Sequence, residues 1–266
     1  MFTEERHKKI IDIVNKEKSI SVKELTNRLA FSPATIRSDL NFLNNQGLLI
    51  RTHGGATSIE ENTDSNKSLN INFNLREREN PSEKAEIAKK AIQYVKENSC
   101  IILDASSTAF ELGKLINNTD MRLMILTNGL NVSNVLKNNN NITTILIGGV
   151  VQGNSNAIQG TLGKSLLQTL NVDAAFVSAH AFNLKDGLTD FNLYEVELKQ
   201  LLVEYANKVV ALIDHSKLDK TSIASFGTSD NIDCFITDSK SDPQILKKYK
   251  NEGLSVLWYS YSYIND

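Results

Sequence analysis

The sequence predicts an α/β chain in two parts: a small, mainly helical N-terminal domain and a larger C-terminal α/β domain with a mostly parallel sheet. Three observations carry this reading. The first 57 residues hold three stretches with apolar residues at helical spacing and polar residues between them. From Pro81 onward, short apolar runs alternate with amphipathic helices, the pattern of a sheet covered on both faces. The charge is also unevenly divided. Residues 1–57 hold nine Lys/Arg and six Asp/Glu, and the remainder 20 and 25, so a mildly basic head precedes an acidic body.

Composition sets further bounds. A chain of 266 residues, 41% hydrophobic and 23% charged, has enough apolar surface for two globular cores. Cys100 and Cys234 lie far apart in apolar surroundings. Two cysteines alone do not make a zinc site, and they read as buried thiols in a reducing compartment. Met1 to Lys9 is too charged for a signal peptide, and no apolar run approaches membrane-spanning length. The expectation is a cytoplasmic protein with no membrane segment, no metal and no cofactor.

In chain order, residues 3–18 read as a helix with Ile10, Ile13 and Val14 on its buried side. Ser21 and Glu24 form a capping box that opens a second helix, with Val22, Leu25 and Leu29 inside. Ala30 to Ser32 make a tight turn. Ser32 caps a third helix, and Pro33 takes its first position, where a missing N–H costs nothing. Ile36, Leu40 and Leu43 face inward. Thr35, Arg37, Ser38 and Asn41 form an outer face able to hydrogen-bond bases or phosphates, while Asp39 projects from a different side. Gly47 stops the helix. Two helices joined by so short a turn, the second with a polar outer face, are a helix-turn-helix.

Residues 48–56 follow as a short hairpin with glycines at its bend. This is the wing of a winged helix-turn-helix, and it places Arg51 and His53 to touch phosphate or minor groove. The expected partner is double-stranded operator DNA. A homodimer or higher even oligomer is expected too, because one recognition helix covers only a few base pairs. Residues 58–75, rich in Ser, Asn, Glu and Asp, read as a flexible linker, so the domains are 1–57, 58–75 and 76–266.

In the larger domain, strands are expected at 100–103, 123–126, 143–147, 174–177, 208–213, 233–237 and 254–258. Helices are expected at 82–96, to 116, to 137, at 162–170, at 193–205 and near 243–249. Polar residues and glycines gather where these strands end: Asp104 with Ser106, Ser107 and Thr108; Thr127-Asn128-Gly129; Gly148-Gly149; and Asp214 with Lys217. Ligands of open α/β sheets sit beyond the carboxyl ends of the strands, and the hydroxyls at a helix mouth favour an anion. No GxGxxG or Walker lysine motif is present, so a nucleotide site is not indicated.

On these motifs the chain resembles the DeoR family of bacterial transcriptional regulators. In residues 1–57 the resemblance rests on Arg6, Ser32 through Leu40 (which brings Ala34 into the DNA-reading set), Gly47, and Arg51 through Ala56. The family's usual second recognition arginine is Ser38 here. Over most of 80–238 the chain resembles the family's sensor domain, similar in fold to ribose-phosphate isomerases, glucosamine-phosphate deaminases and coenzyme A transferases. The matching stretches are Glu83-Lys84, Asp104 with its hydroxyl loop, Thr127-Asn128, Gly148-Gly149, Gly160, Gly187-Leu188-Thr189, Glu195 to Lys199, and Asp214 with Ser216-Lys217.

The resemblance implies a phosphorylated-sugar effector and adds Glu195 and Lys199 to its candidate contacts. His180 joins them, in Ser178-Ala179-His180-Ala181, where the family commonly has Gly-Ala-Asp-Gly. The expected function is a regulator, a repressor of carbohydrate metabolism genes, with no catalytic residues. Two other readings stay open on the residues: a sugar-phosphate isomerase-like enzyme with a DNA-binding appendage, and a DNA-binding module with an inert body.

Overall fold

The computed structural model describes residues 3–45, 48–52, 54–58, 73–152 and 155–258. Gly47, His53 and positions 59–72 of the expected linker lie outside the described residues. The chain divides into two compact units, Met1–Arg78 and Glu79–Asp266.

The first unit contains α1 (Thr3–Glu17), β1 (Ser19–Ser21), α2 (Val22–Leu29), α3 (Pro33–Asn45), β2 (Ile50–Arg51), β3 (Gly55–Thr57) and α4 (Phe73–Arg78). The helix starts form as their sequences dictate. Ser21 Oγ accepts from the Glu24 N–H at 3.2 Å, and the Glu24 carboxylate accepts from the Ser21 N–H at 3.0 Å. Ser32 Oγ accepts from the Thr35 N–H at 3.2 Å. Ala30 closes α2 in the left-handed region, with φ 56°, which reverses the chain toward α3. Ile10, Val14, Leu25, Leu29, Ile36, Leu40 and Leu43 pack into one core with Ile20, Leu49 and Ala56. A fully buried large aliphatic side chain contributes about 1.5–3 kcal/mol. A helix as short as α2 is marginal by itself, so this packing holds the motif together.

The wing is more extensive than the sequence suggests. Ser21 reads only as a cap, yet Ser19–Ser21 also form β1, which pairs antiparallel with β3 in a sheet of order β1-β3-β2. The strands approach so closely that a Cβ on Gly55 would fall 2.0 Å from the Ile20 carbonyl oxygen, which leaves room for glycine alone. Ser58, at the start of the expected linker, is buried and donates its N–H to Lys18 O at 2.7 Å. At the other end, Phe73 already begins α4.

The second unit runs α5 (Pro81–Ala91), β4 (Cys100–Leu103), α6 (Ser107–Asn117), β5 (Leu123–Thr127), α7 (Leu130–Leu136), β6 (Ile142–Leu146), α8 (Lys164–Thr169) and β7 (Ala174–Val177). It continues with β8 (Ala181–Asn183), β9 (Gly187–Asp190), α9 (Leu193–Glu204), β10 (Val209–Leu212), β11 (Ala224–Gly227), β12 (Cys234–Ile236), α10 (Pro243–Asn251) and β13 (Val256–Leu257). Seven strands form one sheet in the order β13-β12-β10-β7-β4-β5-β6, and every pairing is parallel. β7 and β10 are buried along their whole length, as their unbroken apolar runs require.

Parallel pairing places all the strands' carboxyl ends on one edge. The chain runs outward from β4 through β5 to β6, then resumes at β7 on the other side of β4. That reversal is the topological switch point, where such sheets open a crevice.

A second, antiparallel sheet, β11-β9-β8, departs from the sequence expectation. Its strands carry Asn183, Thr189, Asp190 and Ser225, which break any readable alternation, so pairing in the folded chain decides their conformation. The helix expected at 82–96 ends at Ala91 and continues only as a 3-10 turn, Ile92–Tyr94. The helix expected at 162–170 covers Lys164–Thr169.

Candidate functional site

On α3 the inward positions are Ile36, Asp39, Leu40 and Leu43, while Ala34, Arg37, Ser38 and Asn41 are exposed beside the capping Ser32, with Thr35 half-buried. These outward positions share one face by helical period. Asp39 is turned away from that face. Its carboxylate accepts from Arg6 Nε at 2.6 Å and Arg6 Nη2 at 3.0 Å, and lies 3.0 Å from His7 Nε2. Burial would raise the Asp39 carboxyl, but Arg6 and His7 outweigh burial and hold it below the usual carboxylate range. The Arg6 guanidinium also lies over the Phe31 ring, 4.6 Å from its centroid. Arg6, part of the motif match, therefore joins α1 to α3 from inside.

The wing is joined to the same face. The Arg51 N–H donates to Asn44 Oδ1 at 2.9 Å, and its guanidinium donates to Asn41 Oδ1. Recognition helix and wing strand thus present Arg37, Ser38, Asn41 and Arg51 as one cationic, hydrogen-bonding surface. His53 lies outside the described residues.

In the body, the candidate residues end adjacent strands of the parallel sheet and separate into two layers. The inner layer is a buried polar frame. Asp104 Oδ1 accepts from the Ser106 N–H at 3.0 Å and Oδ2 from the Ser178 N–H at 2.9 Å, which locks the end of β4 to the end of β7. Asn128 Oδ1 accepts from the Ala105 N–H and its Nδ2 donates to Ile158 O, both at 3.0 Å. Thr127 Oγ1 accepts from the Gly129 N–H at 2.9 Å. Lys199 is buried, donates to Asp190 at 2.7 Å and Ser178 O at 2.8 Å, and lies 3.7 Å from Asp104. Burial would lower its ammonium, but Asp190, Asp104 and Glu195 outweigh that and hold it above the ordinary lysine range. Glu195 is buried on the same helix and accepts from Asn192 Nδ2 at 3.3 Å.

The outer layer meets solvent. Lys217 is half-buried, with Nζ 3.2 Å from Ser178 Oγ and 3.4 Å from Asp214 Oδ2. His180 is exposed, its ring edge-on to Phe191 at 5.0 Å. Gly148 and Gly149 are exposed, and a Cβ on Gly149 would fall 2.4 Å from Gln159 O. Between the layers, Ser106 Oγ caps α6 by accepting from the Ala109 N–H at 3.0 Å, and Ser107 is buried beside it. The Thr108 hydroxyl, fully buried in the first turn of α6, has no hydrogen-bond partner. Such an atom in the first turn of a helix suits an anion oxygen.

Ser178, Asp190 and Asn80 belong to this edge without being among the residues the sequence marks as ligand contacts. Asn80 Nδ2 donates to Asp214 Oδ1 at 3.2 Å and to Ser216 Oγ at 3.3 Å. The Asn-Pro dipeptide at 80–81 was its available signal, since that pair marks a turn. Ser178 had none, because its partners Asp104 and Lys217 are distant in sequence, and Asp190 ends a strand that the sequence does not announce. Among the described residues, no cluster of three or more His, Cys, Asp or Glu is arranged to hold a metal ion, and no helix is long and apolar enough to cross a membrane.

A helix-turn-helix head with a wing, carried in one chain with an α/β body whose polar edge suits an anion, defines a DNA-binding transcriptional regulator with a sensor domain. Residues 6–62 match the DeoR-like helix-turn-helix domain and residues 79–239 the DeoR C terminal sensor domain. The chain belongs to the DeoR family. It is 44% identical over 256 residues to the HTH-type transcriptional regulator GolR of Listeria innocua, covering 96% of this chain and 98% of that one. The L-fucose operon activator of Haemophilus influenzae is 35% identical over 92% of this chain and 95% of its own. The glycerol-3-phosphate regulon repressor of Escherichia coli K12 is 28% identical over 91% and 94%. These relatives are regulators, not enzymes, and the isomerase-like alternative gives way to that role.

Proposed function

We propose that this regulator represses carbohydrate metabolism genes from the cytoplasm, and that a phosphorylated sugar at the carboxyl edge of its sheet controls operator binding. The unpartnered, buried Thr108 hydroxyl at the mouth of α6 carries the proposal. A phosphate oxygen there would meet the first-turn N–H groups, the Ser107 and Thr108 hydroxyls, and Lys217 as the cation. His180 and the Gly148-Gly149 backbone would face the sugar hydroxyls. Asp104, Thr127, Asn128, Glu195, Lys199 and Asp214 would hold this seat in shape. Residues 1–57 read DNA, 58–75 link, and 76–266 sense the ligand, with the chain acting as a homodimer or higher even oligomer. The names of the relatives support a carbohydrate or polyol phosphate as the ligand class, and they include both a repressor and an activator.

A thermal-shift screen tests the reading, because a ligand that binds only the native state raises the midpoint. The panel is fructose 6-phosphate, ribose 5-phosphate, fuculose 1-phosphate and glycerol 3-phosphate, each against its unphosphorylated parent. A phosphate-dependent rise that Lys217→Ala abolishes supports the site. No rise with any of the four, or a rise that Lys217→Ala leaves intact, refutes it. Sedimentation at micromolar concentration checks the assembly, and a monomer that still binds operator tightly would remove the oligomer.

A further inference from the structure

The body begins at Glu79, and its first residues are fastened to the ligand edge. Asn80 caps α5 from the left-handed region, with φ 48° and ψ 49°, and makes no side-chain bond to its own helix. Its amide reaches instead to Asp214 Oδ1 and Ser216 Oγ, in the loop that carries Lys217. Lys84, buried in the first turn of α5, donates its N–H to Asn80 O at 3.1 Å and its ammonium to Glu79 O. Glu83 beside it is paired with Lys240, and Glu86 accepts from the Ser239 N–H at 3.0 Å, which ties α5 to the loop after β12. The chain therefore enters the body through Asn80, gripped by the loop that ends β10, and α5 behind it is tied to the loop that ends β12.

Asp214 is the hinge of this arrangement. It is buried, and Oδ1 accepts from Asn80, the Ser216 N–H and the Ser216 hydroxyl, while Oδ2 faces Lys217 at 3.4 Å. An anion that draws the Lys217 ammonium toward Thr108 takes a cation from Oδ2. The carboxylate then depends more heavily on its other partners, and on the segment that opens the body these are the Asn80 amide, which donates to Oδ1, and the Lys84 charge.

We infer that Asn80 is the positioning residue that couples ligand occupancy to the head: its amide reads the state of Asp214 and sets the backbone at Glu79–Asn80. This rests on the ligand reading above and adds its route of transmission. The Asn80 conformation is uncommon for a residue with a side chain, and asparagine is among the few that adopt it readily. It persists here with the amide held by the sensor loop, so a change at Asp214 acts on the backbone torsions of the first residues of the body.

The test compares wild type with Asn80→Gly and Asn80→Asp. Glycine keeps the left-handed backbone without the amide, and aspartate keeps the shape but loses the donor. Operator affinity is measured with and without each of the four phosphates at fixed ionic strength. Ligand affinity without DNA is measured by calorimetry, and the melting midpoint is recorded. Wild type is expected to show a ratio of operator affinities of about 5–150, the usual range of coupling between sites. In both variants the ratio should fall to within about twofold of unity, and in Asn80→Gly, which adds no charge beside Asp214, each separate affinity should stay within about threefold of wild type. Variants that keep the wild-type ratio overturn the relay and leave the ligand site standing. A wild-type ratio of unity for all four phosphates removes the ligand control, and the relay with it. Loss of ligand binding together with a lowered midpoint in both variants would make Asn80 a folding residue, which also overturns the relay.

Discussion

Arg6 and Asp39, 33 residues apart in sequence, close the DNA-binding head with two parallel hydrogen bonds of 2.6 and 3.0 Å. The pair keeps the one carboxylate among the described side chains of α3 out of the exposed face, where it would repel phosphate. It also fixes the recognition helix against α1. Removing one partner of such a buried pair is costlier than replacing both, because the survivor is left without compensation. Asp39→Ala is therefore expected to destabilise the head by about 3 kcal/mol. Arg6→Met with Asp39→Leu should cost less than the single change. Denaturation followed by a probe in residues 1–57 checks this, and equal losses for single and double variants would contradict it.

The same pair sets an acid limit. Asp39 titrates below its unfolded value in the folded head, so the unfolded chain binds the proton more readily. The stabilisation is complete above the ordinary aspartate range and is lost as pH falls through the folded value. Head stability should be flat near neutrality and drop below about pH 4. In Asp39→Leu with Arg6→Met this contribution to the drop should vanish from the pH-dependent melting curve.

The two exposed arginines should behave differently on DNA. Arg37→Ala is expected to weaken operator binding and to relax specificity, by about 1–3 kcal/mol if it pairs with a guanine. Arg51→Ala should weaken binding more evenly across sequences and lower the salt slope. Titrations of operator and scrambled DNA at several salt concentrations separate the two. Wild-type binding by both variants would show that α3 and the wing are not the DNA surface.

Lys199 and Lys217 make a second contrast. Lys199 is enclosed by Asp104, Asp190 and a backbone carbonyl, so Lys199→Met strands buried carboxylates and should destabilise the body by about 3–5 kcal/mol. Lys217 reaches solvent, and Lys217→Ala should leave the melting midpoint within a few degrees of wild type while removing the phosphate-dependent shift. Calorimetric melting of both variants decides the matter. A stable Lys199→Met protein lacking only the ligand response would move that lysine into the contact layer.

Glu83 gives a titration that isolates one contact. Its carboxyl is held down at about 2 by the hydrogen bond from Lys240, assisted by its own backbone and Ser82. Lys240→Met should bring it back toward the ordinary glutamate range, as read by carboxyl carbon NMR. In wild type, the stabilisation from Glu83 is complete above the unfolded value near 4.5 and is lost as pH falls toward 2.

The parts of this molecule legible in its sequence are those set by local physics. Ser21, Glu24, Ser32 and Pro33 announce their helix starts because capping involves only near neighbours. The strands β4, β5, β7 and β10 announce themselves because a strand buried on both faces must be apolar throughout. β1 stays hidden because three residues between two helices carry too little pattern, and its pairing with β3 is a tertiary matter. The antiparallel sheet is hidden for the same reason. Strand-end polarity correctly marks the edge but does not separate roles. Asp104, Asn128 and Lys199 look like ligand contacts in sequence, yet their polar groups are bound to the protein's own loops. For Asp104 and Asn128 that distinction depends on hydrogen bonds between residues distant in sequence, Ala105 to Asn128 across 23 residues and Ser178 to Asp104 across 74.

The all-parallel sheet has an evolutionary corollary. Each outer residue at its rim hangs on a separate crossover: Gly148 and Gly149 after β6, His180 after β7, Lys217 after β10. The outward residues of each loop can vary while the buried frame of Asp104, Asn128 and Lys199 beneath them stays fixed. Single substitutions at those outward positions leave a folded, DNA-binding intermediate for selection to act on.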